Sequence, residues 1–386
     1  MSLTLTAAQV RLLRVLSQRL HPAEGMERPS EPVAALNAMF GAQAQELPAA
    51  LLSVRARSHT LTAARLEQAR NTERSILWTW LMRGTLHLVS AEDARWLLPL
   101  LAPGLIEAGR RRMEQLGWDE ERTARGLRLL EASLRQRGPL TRADISALLA
   151  EGGLPHEGQA PVHLLYRAAV TGLLCGGPDL DAGKEHSYML LEDWLGGLAP
   201  LPREEALARM ALRYLEAFGP AAPRDLAAWS GLPLADARRG WQGIQERLEE
   251  VQVSGAEERE PLWLPHSRLG MLEQARNHRE QPPMVRLLPR FDTLWMAYSS
   301  RDLLIEPAFA KRVNAGGGMV HPMLLVNGQV RGVWKMEQKK GALELRVQPF
   351  TALESKTRPG LEAETANIAR FLGLEAHITV ENPPGA

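Results

Sequence analysis

The chain has 386 residues, 45% of them hydrophobic and 24% charged, which is typical of a soluble globular protein with two to four domains. Its formal net charge of +1 neither predicts nor excludes a nucleic-acid partner. The single cysteine, Cys175, excludes an internal disulfide and favours a reducing, cytoplasmic compartment. No apolar stretch reaches the ~20 residues of a membrane span, arginines at helical spacing argue against an N-terminal signal peptide, and the ten histidines show no metal-binding spacing. No membrane association, metal or other cofactor is therefore expected.

The N-terminal part is predicted to be mainly helical, because apolar residues recur there at i, i+3, i+4 and i+7. The first helix is expected to end before Pro22. A polar segment, GAQAQ, interrupts the helical pattern at residues 41–45. The expected helices cover residues 5–20, 34–40, 48–56 and 62–70.

The segment ILWTWLMRGTLHLV at residues 76–89 has a different residue pattern from the helical segments before it. It is rich in Trp, Leu and Val, contains no proline, and has Arg83-Gly84 at its centre, which predicts a β-hairpin. Helices followed by a hairpin are the element order of a winged helix-turn-helix domain.

An internal repeat links residues 131–149 with residues 212–230. In each copy a helix ends in Gly-Pro, and after four intervening residues an aspartate begins a new apolar helix. Thr141 and Asp144 can form a capping box for the helix in the first copy. Each copy is followed by another helix and a strand pair, so both predict further winged-helix domains. These elements are expected over residues 161–173 and 174–191, and over residues 234–248 and 251–264.

From residue 284 the chain is predicted to change to short strands. Asn327-Gly328 between two apolar runs predicts a two-residue hairpin turn. A helix over residues 358–373 and a strand over residues 375–380 close the chain. The predicted fold class is therefore α+β and mainly α, with three tandem winged helix-turn-helix domains followed by a small antiparallel β-barrel with a C-terminal helix. The predicted domains cover residues 1–115, 116–195, 196–280 and 281–386.

Two glutamines, Gln43 and Gln45, lie in a frame of small residues. In a regular helix they would point apart, whereas in the irregular segment that Gly41 and Pro48 favour they would share one side. Two converging amides offer acceptors and donors together, so the pair could hold a water molecule or a sugar-phosphate group. The alternative is an ordinary polar surface, which the residues alone favour.

The predicted hairpin contains three candidates for DNA contact, Arg83, Thr85 and His87. Strand alternation places Thr85 and His87 on one face and Arg83 at the turn. The alternative is a solvated turn arginine and a buried histidine with its hydrogen bonds satisfied, and the residues alone favour it.

Three further patterns favour structural interpretations. Asp292 and Arg301 are expected to form an internal ion pair that orders the β-rich region. The arginines at residues 110–112 are expected to form a solvated helix face. The glycines at residues 316–318 predict a turn or flexible tip, because the segment lacks the Lys-Ser/Thr and the helix of a phosphate-binding loop.

Several segments together resemble the AlkZ-like winged-helix DNA glycosylases. They follow the family's order through nearly the whole chain and read GAQAQ, TWLMRGTLHLV, LLYRAAVTGLLCGGP, RYLEAFGPAAPRDLAAWSGL and LLPRFDTLWMAYSSR. The resemblance implies tandem winged-helix domains and a β-barrel around a concave DNA channel. It also implies excision of alkylated bases, with unhooking of interstrand crosslinks in some members.

The family's catalytic motif is Gln-apolar-Gln, and Gln43-Ala44-Gln45 matches it residue by residue. The resemblance therefore implies that Gln43 and Gln45 are catalytic, and it makes Arg83 and His87 candidates for lining the DNA channel. The implied enzyme is a monofunctional glycosylase, expected to be monomeric, that releases N7-alkylated purines from damaged double-stranded DNA.

Two other functions remain open from the sequence. A non-catalytic winged-helix DNA-binding protein, such as a transcriptional regulator, would bind one sequence tightly and ignore lesions. A scaffold without nucleic-acid contact would show no salt-dependent affinity for DNA.

Overall fold

The computed structural model describes residues 3–23, 26–180, 185–256, 260–277, 282–339 and 341–383. Within these ranges the helices are α1 (Ala7–Ser17), α2 (Pro32–Ala38), α3 (Leu47–Ala56), α4 (Ala63–Asn71), α5 (Ala91–Gln115), α6 (Glu120–Arg137), α7 (Arg142–Glu151), α8 (Ala160–Val170), α9 (Leu191–Leu195), α10 (Arg203–Phe218), α11 (Pro223–Ser230), α12 (Leu234–Gln242), α13 (Leu272–Asn277), α14 (Thr293–Met296), α15 (Ala310–Val313) and α16 (Arg358–Leu372). The strands are β1 (Leu3–Leu5), β2 (Ala42–Gln43), β3 (Ile76–Trp80), β4 (Leu86–Ser90), β5 (Leu140–Thr141), β6 (Leu174–Gly176), β7 (Ser187–Leu190), β8 (Leu248–Val253), β9 (Leu262–Pro265), β10 (Val285–Leu288), β11 (Asn314–Gly316), β12 (Met319–Val320), β13 (Met323–Val326), β14 (Gln329–Lys339), β15 (Ala342–Pro349) and β16 (Glu375–Val380).

The chain forms two compact units. The first unit contains Met1–Leu66 and Leu207–Ala386, and the second contains Glu67–Ala206. The limits of the second unit fall inside α4 and α10. The division into four domains at residues 115, 195 and 280 stays a prediction.

A five-stranded sheet forms the C-terminal part of the first unit. Its strand order is β10-β13-β14-β15-β16, and the sheet curls into a half-barrel. Helix α16 packs against it, and Leu361 and Ile368 of that helix join a buried cluster with Leu287 and Leu345 of the strands. Trp334 belongs to the same cluster and donates its indole N–H to the Leu288 carbonyl oxygen at 2.8 Å, which satisfies its polar group inside the core. The predicted β-rich region is therefore present as a half-barrel.

The prediction that this sheet is antiparallel is wrong for its last strand. β16 pairs in parallel with β15, with Ala342 opposite Glu375 and Val347 opposite Val380. The reason is the connection: α16 carries the chain from the end of β15 back to the start of β16, and such a helical crossover joins parallel strands.

The first helix begins later than predicted. Residues 3–5 form β1, which pairs in parallel with β8 of the same unit, and α1 begins only at Ala7. Thr6 separates the two elements by capping α1: its hydroxyl accepts from the Gln9 N–H, while the Gln9 side chain accepts from the Thr6 N–H. The sequence did not reveal this strand, because the apolar residues of Leu3–Leu5 also fit the periodicity of the helix that follows.

The second unit contains the predicted hairpin. β3 and β4 pair antiparallel from Ile76 opposite Ser90 to Trp80 opposite Leu86. A separate three-stranded sheet has the order β5-β7-β6. The predicted capping box is confirmed, because the Thr141 N–H donates to Asp144 Oδ2 at 2.9 Å and the Asp144 N–H donates to the Thr141 hydroxyl at 3.2 Å.

Several local predictions are confirmed. Each Gly-Pro of the repeat separates two helices, α6 from α7 and α10 from α11. Asn327 and Gly328 have φ angles of 48° and 77°, as a tight hairpin turn requires. Gly316 ends β11, and Gly317 and Gly318 connect it with β12. The arginines at residues 110–112 are exposed. None of the helices in the described ranges has the length and apolar character that crossing a lipid bilayer requires.

Candidate functional site

The glutamine segment lies between α2 and α3 in the first unit. Phe40 and Gly41 have φ angles of 48° and 92°, so the chain reverses sharply at the end of α2. The second of these values is one that glycine adopts without a steric penalty. The chain then forms the short β2 and a bend at Gln45 before α3 begins at Leu47. The segment is thus irregular, as the flanking Gly41 and Pro48 predict.

The two glutamines have different surroundings. Gln43 ends β2 and is only 8% exposed, and Ala44 is fully buried. Gln45 lies at the bend and is exposed. The sequence does not distinguish the two glutamines, whereas the structure holds the Gln43 amide in the protein and leaves the Gln45 amide accessible to solvent. The difference arises because β2 ends at Gln43, so the alternation of a strand does not continue to Gln45.

An aromatic cluster anchors the start of this segment. The Phe40 ring stacks on Trp229 with 5.1 Å between the ring centroids, and both side chains are buried. Trp229 in turn packs against Tyr214 and Phe218 of α10. The Arg213 guanidinium lies over the Phe40 ring, 5.1 Å from its centroid, which is a cation–π distance. Phe40 immediately precedes Gly41, so this cluster fixes where β2 begins.

Buried ion pairs anchor α3 after the segment. Arg55 donates from Nη1 to Glu364 of α16 at 3.0 Å, and Arg57 contacts both carboxylate oxygens of Asp292 at 2.5 and 2.9 Å. Both arginine side chains are fully buried. At the other end of α3, Glu46 pairs with Arg290 at 3.1 Å. Gln45 therefore lies two residues before a helix whose two ends form ion pairs with the C-terminal part of the first unit.

The predicted partner of Asp292 is wrong. Asp292 pairs with Arg57, and Arg301 donates to the Ser299 carbonyl oxygen at 3.2 Å and lies over Trp295. Asp292 is the N-cap of α14 and is fully buried, so a buried cation is needed to balance its charge. Arg301, which follows α14, is only half-buried. Arg57 and Asp292 are 235 positions apart, which explains why local spacing could not predict this pair.

The three hairpin candidates lie in the second unit. Arg83 and Gly84 have φ angles of 57° and 69° and form the turn, and the Gly84 N–H donates to the Leu81 carbonyl oxygen at 2.8 Å. A Cβ at Gly84 would lie 3.1 Å from the Tyr166 hydroxyl, so glycine suits both the angle and the close approach. Thr85 is half-buried and donates its hydroxyl to the Met82 carbonyl oxygen at 3.0 Å. The hairpin tip is therefore a well-ordered turn.

His87 is buried beneath this turn. Its Nδ1 lies 2.8 Å from the Thr85 carbonyl oxygen, and because a carbonyl only accepts, Nδ1 carries the proton. Burial lowers the pKa of His87 to about 3, and the charge of Arg83 contributes to the same effect. His87 is thus neutral at physiological pH. Its DNA-binding role stays a prediction, and its burial favours the alternative of an internal histidine with a satisfied hydrogen bond.

The buried His87 predicts that stability falls with acid. An unfolded histidine takes up a proton near pH 6.5, whereas folded His87 takes it up only near pH 3, so protonation favours the unfolded state between these values. We expect His87 to account for a loss of about 2 kcal/mol in the free energy of unfolding between pH 7 and pH 5. Urea denaturation at both pH values measures this loss.

His87→Gln is expected to weaken this pH dependence. His377→Gln, which changes an exposed histidine of β16, serves as the matched control and should keep the wild-type dependence. An unchanged pH dependence in His87→Gln would show that His87 titrates in the folded protein.

The family described as DNA glycosylase AlkZ-like matches residues 36–371. The chain is 28% identical over 319 residues to the interstrand DNA cross-link repair glycosylase of Streptomyces sahachiroi, covering 78% of this chain and 80% of that protein. The solved structure of the Streptomyces sahachiroi DNA glycosylase AlkZ has the same fold, with a TM-score of 0.73 at 23% identity over 98% of this chain and 100% of that one. Because the family match covers most of the chain and includes the glutamine segment, the hairpin and the first four strands of the half-barrel sheet, the chain belongs to the AlkZ-like family of DNA glycosylases, which are hydrolases of N-glycosyl bonds.

Proposed function

We propose that this protein is a monofunctional DNA glycosylase that releases N7-alkylated purines from double-stranded DNA and unhooks interstrand crosslinks. The observation that carries the proposal is the geometry of the glutamine segment. It presents the exposed Gln45 beside the buried Gln43, between an aromatic anchor and a helix held by buried ion pairs. The name of the Streptomyces sahachiroi relative supports the extension to crosslinks.

The chemistry of the lesion suits amide side chains. Alkylation at N7 gives the purine a positive charge, so the bond from N9 to C1′ of the deoxyribose can break without a general acid. The bond's electron pair moves to the base and neutralises it, while the sugar develops oxocarbenium character. Water then adds to C1′ and releases a proton to solvent.

In this proposal the glutamines act through their amide dipoles. A Gln45 carbonyl oxygen can accept a hydrogen bond from the attacking water or face the positive sugar, and preorganised dipoles of this kind stabilise charge in a transition state. Gln43, which is only 8% exposed, positions the segment and so restricts the orientations that the Gln45 side chain can adopt. Because neither side chain carries a charge, acceleration should favour labile, cationic adducts over ordinary bases.

The proposal also assigns roles to the recurring helix, turn, helix and hairpin order. We propose that these elements are three winged-helix domains that contact the DNA backbone, and that the β3–β4 hairpin contributes Arg83 and Thr85. The positive φ of Arg83 places this residue at the tip of the hairpin, where a wing contacts phosphates. His87 supports that tip through its hydrogen bond to Thr85.

Release of 7-methylguanine from methylated duplex DNA tests the proposed function. We expect the wild-type protein to release this base with first-order kinetics under enzyme excess and to leave abasic sites without strand cleavage. A duplex carrying an N7-linked interstrand crosslink tests the second part, and the expected product is one strand freed from the other. Tight binding to undamaged DNA without any base release would instead identify a non-catalytic DNA-binding protein.

A further inference from the structure

A group of arginines surrounds one buried carboxylate in the first unit. This arginine cluster consists of Arg28, Arg55, Arg286 and Arg370, and its carboxylate is Glu364 of α16, which is 4% exposed. Arg55 approaches one carboxylate oxygen of Glu364 at 3.0 Å, and Arg286 approaches the other at 3.3 Å. The Leu287 N–H donates to the same carboxylate at 3.0 Å. Both carboxylate oxygens of Glu364 are therefore occupied, by Arg55, Arg286 and the Leu287 N–H.

The other two arginines of the cluster, Arg28 and Arg370, donate hydrogen bonds to uncharged backbone carbonyl oxygens. Arg28 donates from Nη2 to the carbonyl oxygens of Ala56 and Ser58 at 2.6 and 3.2 Å. Arg370 donates to the carbonyl oxygens of Thr60 and Leu61 at 3.0 and 2.9 Å. Within the part of the chain that the structure describes, neither of them forms an ion pair with a carboxylate.

His59 lies at the edge of the arginine cluster, and its lowered pKa reflects the positive charge of these arginines. Its ring nitrogens lie 2.8 and 2.9 Å from Nη1 of Arg28, and the residue is exposed. The ring nevertheless loses part of its contact with solvent, and this partial burial lowers the pKa of His59 to about 4, together with the charges of Arg28, Arg286 and Arg370. Burial and neighbouring arginines likewise lower the pKa of Arg28 to about 9. Positive charge has thus accumulated here beyond what Glu364 balances.

Arg28 also has an unused donor. Its Nε is buried and has no hydrogen-bond partner among the described residues, and the same holds for Nε of Arg55 and of Arg286. Guanidinium groups bind phosphate oxygens through two donors at once, which lysine cannot do. The exposed Arg370 presents such a guanidinium at the surface beside this excess of positive charge, which is the chemistry of a phosphate site.

The arginine cluster lies one helix away from Gln45. Gln45 precedes α3 and His59 follows it, and ten residues of helix span about 15 Å. Along duplex DNA one strand has a phosphate about every 3.4 Å of the helix axis, so this length corresponds to about four nucleotides. The distance suits a backbone contact on the DNA that Gln45 would act on.

We propose that Arg28, His59 and Arg370 bind a phosphodiester group of the DNA backbone a few nucleotides from the target base, with the buried charges of Arg55 and Arg286 strengthening the contact. This proposal rests on the proposed function, because it takes the substrate of the glycosylase to be duplex DNA.

The salt dependence of DNA binding tests the proposal. Fluorescence anisotropy with an undamaged 20-base-pair duplex gives Kd at a series of KCl concentrations. Each phosphate contact contributes about −0.9 to the slope of log K against log [salt], so Arg370→Gln and Arg28→Gln should each lower the magnitude of the slope by about 1. We expect Kd at low salt to rise about tenfold in each variant.

Arg358→Gln is the matched control. Arg358 lies on α16 like Arg370, but it is 83% exposed and pairs with Glu362. This variant should keep the wild-type slope. If Arg28→Gln fails to fold because it loses the carbonyl contacts of Ala56 and Ser58, Arg370→Gln still decides the question. A wild-type slope in Arg370→Gln would overturn the proposal.

A second arm separates a DNA phosphate from a free phosphate ion. The melting temperature is measured in inorganic phosphate and in chloride at equal ionic strength. Stabilisation by phosphate that disappears in Arg370→Gln, with an unchanged DNA slope, would identify a free-ion site and overturn the DNA contact. Wild-type release of 7-methylguanine is measured in parallel, so that absence of release with an altered slope would reject the glycosylase activity and leave the phosphate site standing.

Discussion

Replacing Gln45 with alanine is expected to lower the first-order rate constant for 7-methylguanine release by about 10²–10³-fold, the usual effect of removing one preorganised polar group that stabilises a transition state. Gln45 is exposed at a bend, so truncating it leaves no cavity and no buried polar group without a partner. Binding of undamaged duplex should stay within about twofold, because backbone contacts dominate DNA affinity. The measurement is single-turnover release with enzyme in excess, beside anisotropy for Kd.

Gln43→Ala and Gln338→Ala complete the comparison. Gln43 is buried at the end of β2, so its loss should lower both the release rate and the unfolding free energy, whereas Gln45→Ala should affect the rate alone. Gln338 is an exposed glutamine of β14 and should leave both quantities unchanged. Release by Gln45→Ala at the rate of Gln338→Ala would remove Gln45 from the reaction.

Local chemistry made much of the fold predictable. The capping box of Thr141 and Asp144, the Asn327-Gly328 turn and the hairpin around Arg83-Gly84 depend on residues within a few positions of one another. Such short-range signals survive in a single sequence because the backbone angles and hydrogen bonds they favour involve only neighbours. The family resemblance, carried by motifs of the same kind, is confirmed by the match over residues 36–371.

Long-range pairings could not be predicted in this way. β1 joins β8, which lies more than 240 positions later, and the last strand of the half-barrel runs parallel because of a helical crossover. Arg57 forms its ion pair with Asp292, which is 235 positions later in the chain. In each case the partner is chosen by tertiary packing, and the nearer candidate, such as Arg301 for Asp292, has no advantage once the chain is folded.

The glutamine segment combines both kinds of information. Gly41 and Pro48 predicted an irregular conformation, and the resemblance implied a function for Gln43 and Gln45. The unequal exposure of the two side chains depends on where β2 ends and on Phe40 packing against Trp229, almost 190 residues away. The sequence could therefore identify the candidate residues, but their different surroundings required the folded chain.

Asp292→Ala is expected to lower the free energy of unfolding by about 3–5 kcal/mol, which is the cost of leaving one member of a buried ion pair without its partner. Asp292 accepts from Arg57 through both oxygens, from the Ser53 hydroxyl at 2.8 Å and from the Leu294 N–H at 2.9 Å. Its removal leaves the Arg57 charge in a fully buried position. Urea denaturation monitored by tryptophan fluorescence measures the change, and Glu362→Gln, at an exposed pair, should change stability by less than about 0.5 kcal/mol.

The same ion pair is expected to influence the reaction through α3. Ser53 lies on this helix, Arg57 follows it and Gln45 lies two residues before it. A loosened helix should therefore broaden the orientations of the Gln45 amide. Asp292→Ala, measured at a temperature where it remains folded, should therefore release 7-methylguanine more slowly than Glu362→Gln. The double variant Arg57→Met/Asp292→Leu removes both charges and should recover part of the lost stability, because no buried charge then remains unpaired. If the double variant is as unstable as Asp292→Ala, the loss comes from packing around α14, and the isolated charge of Arg57 is not its cause.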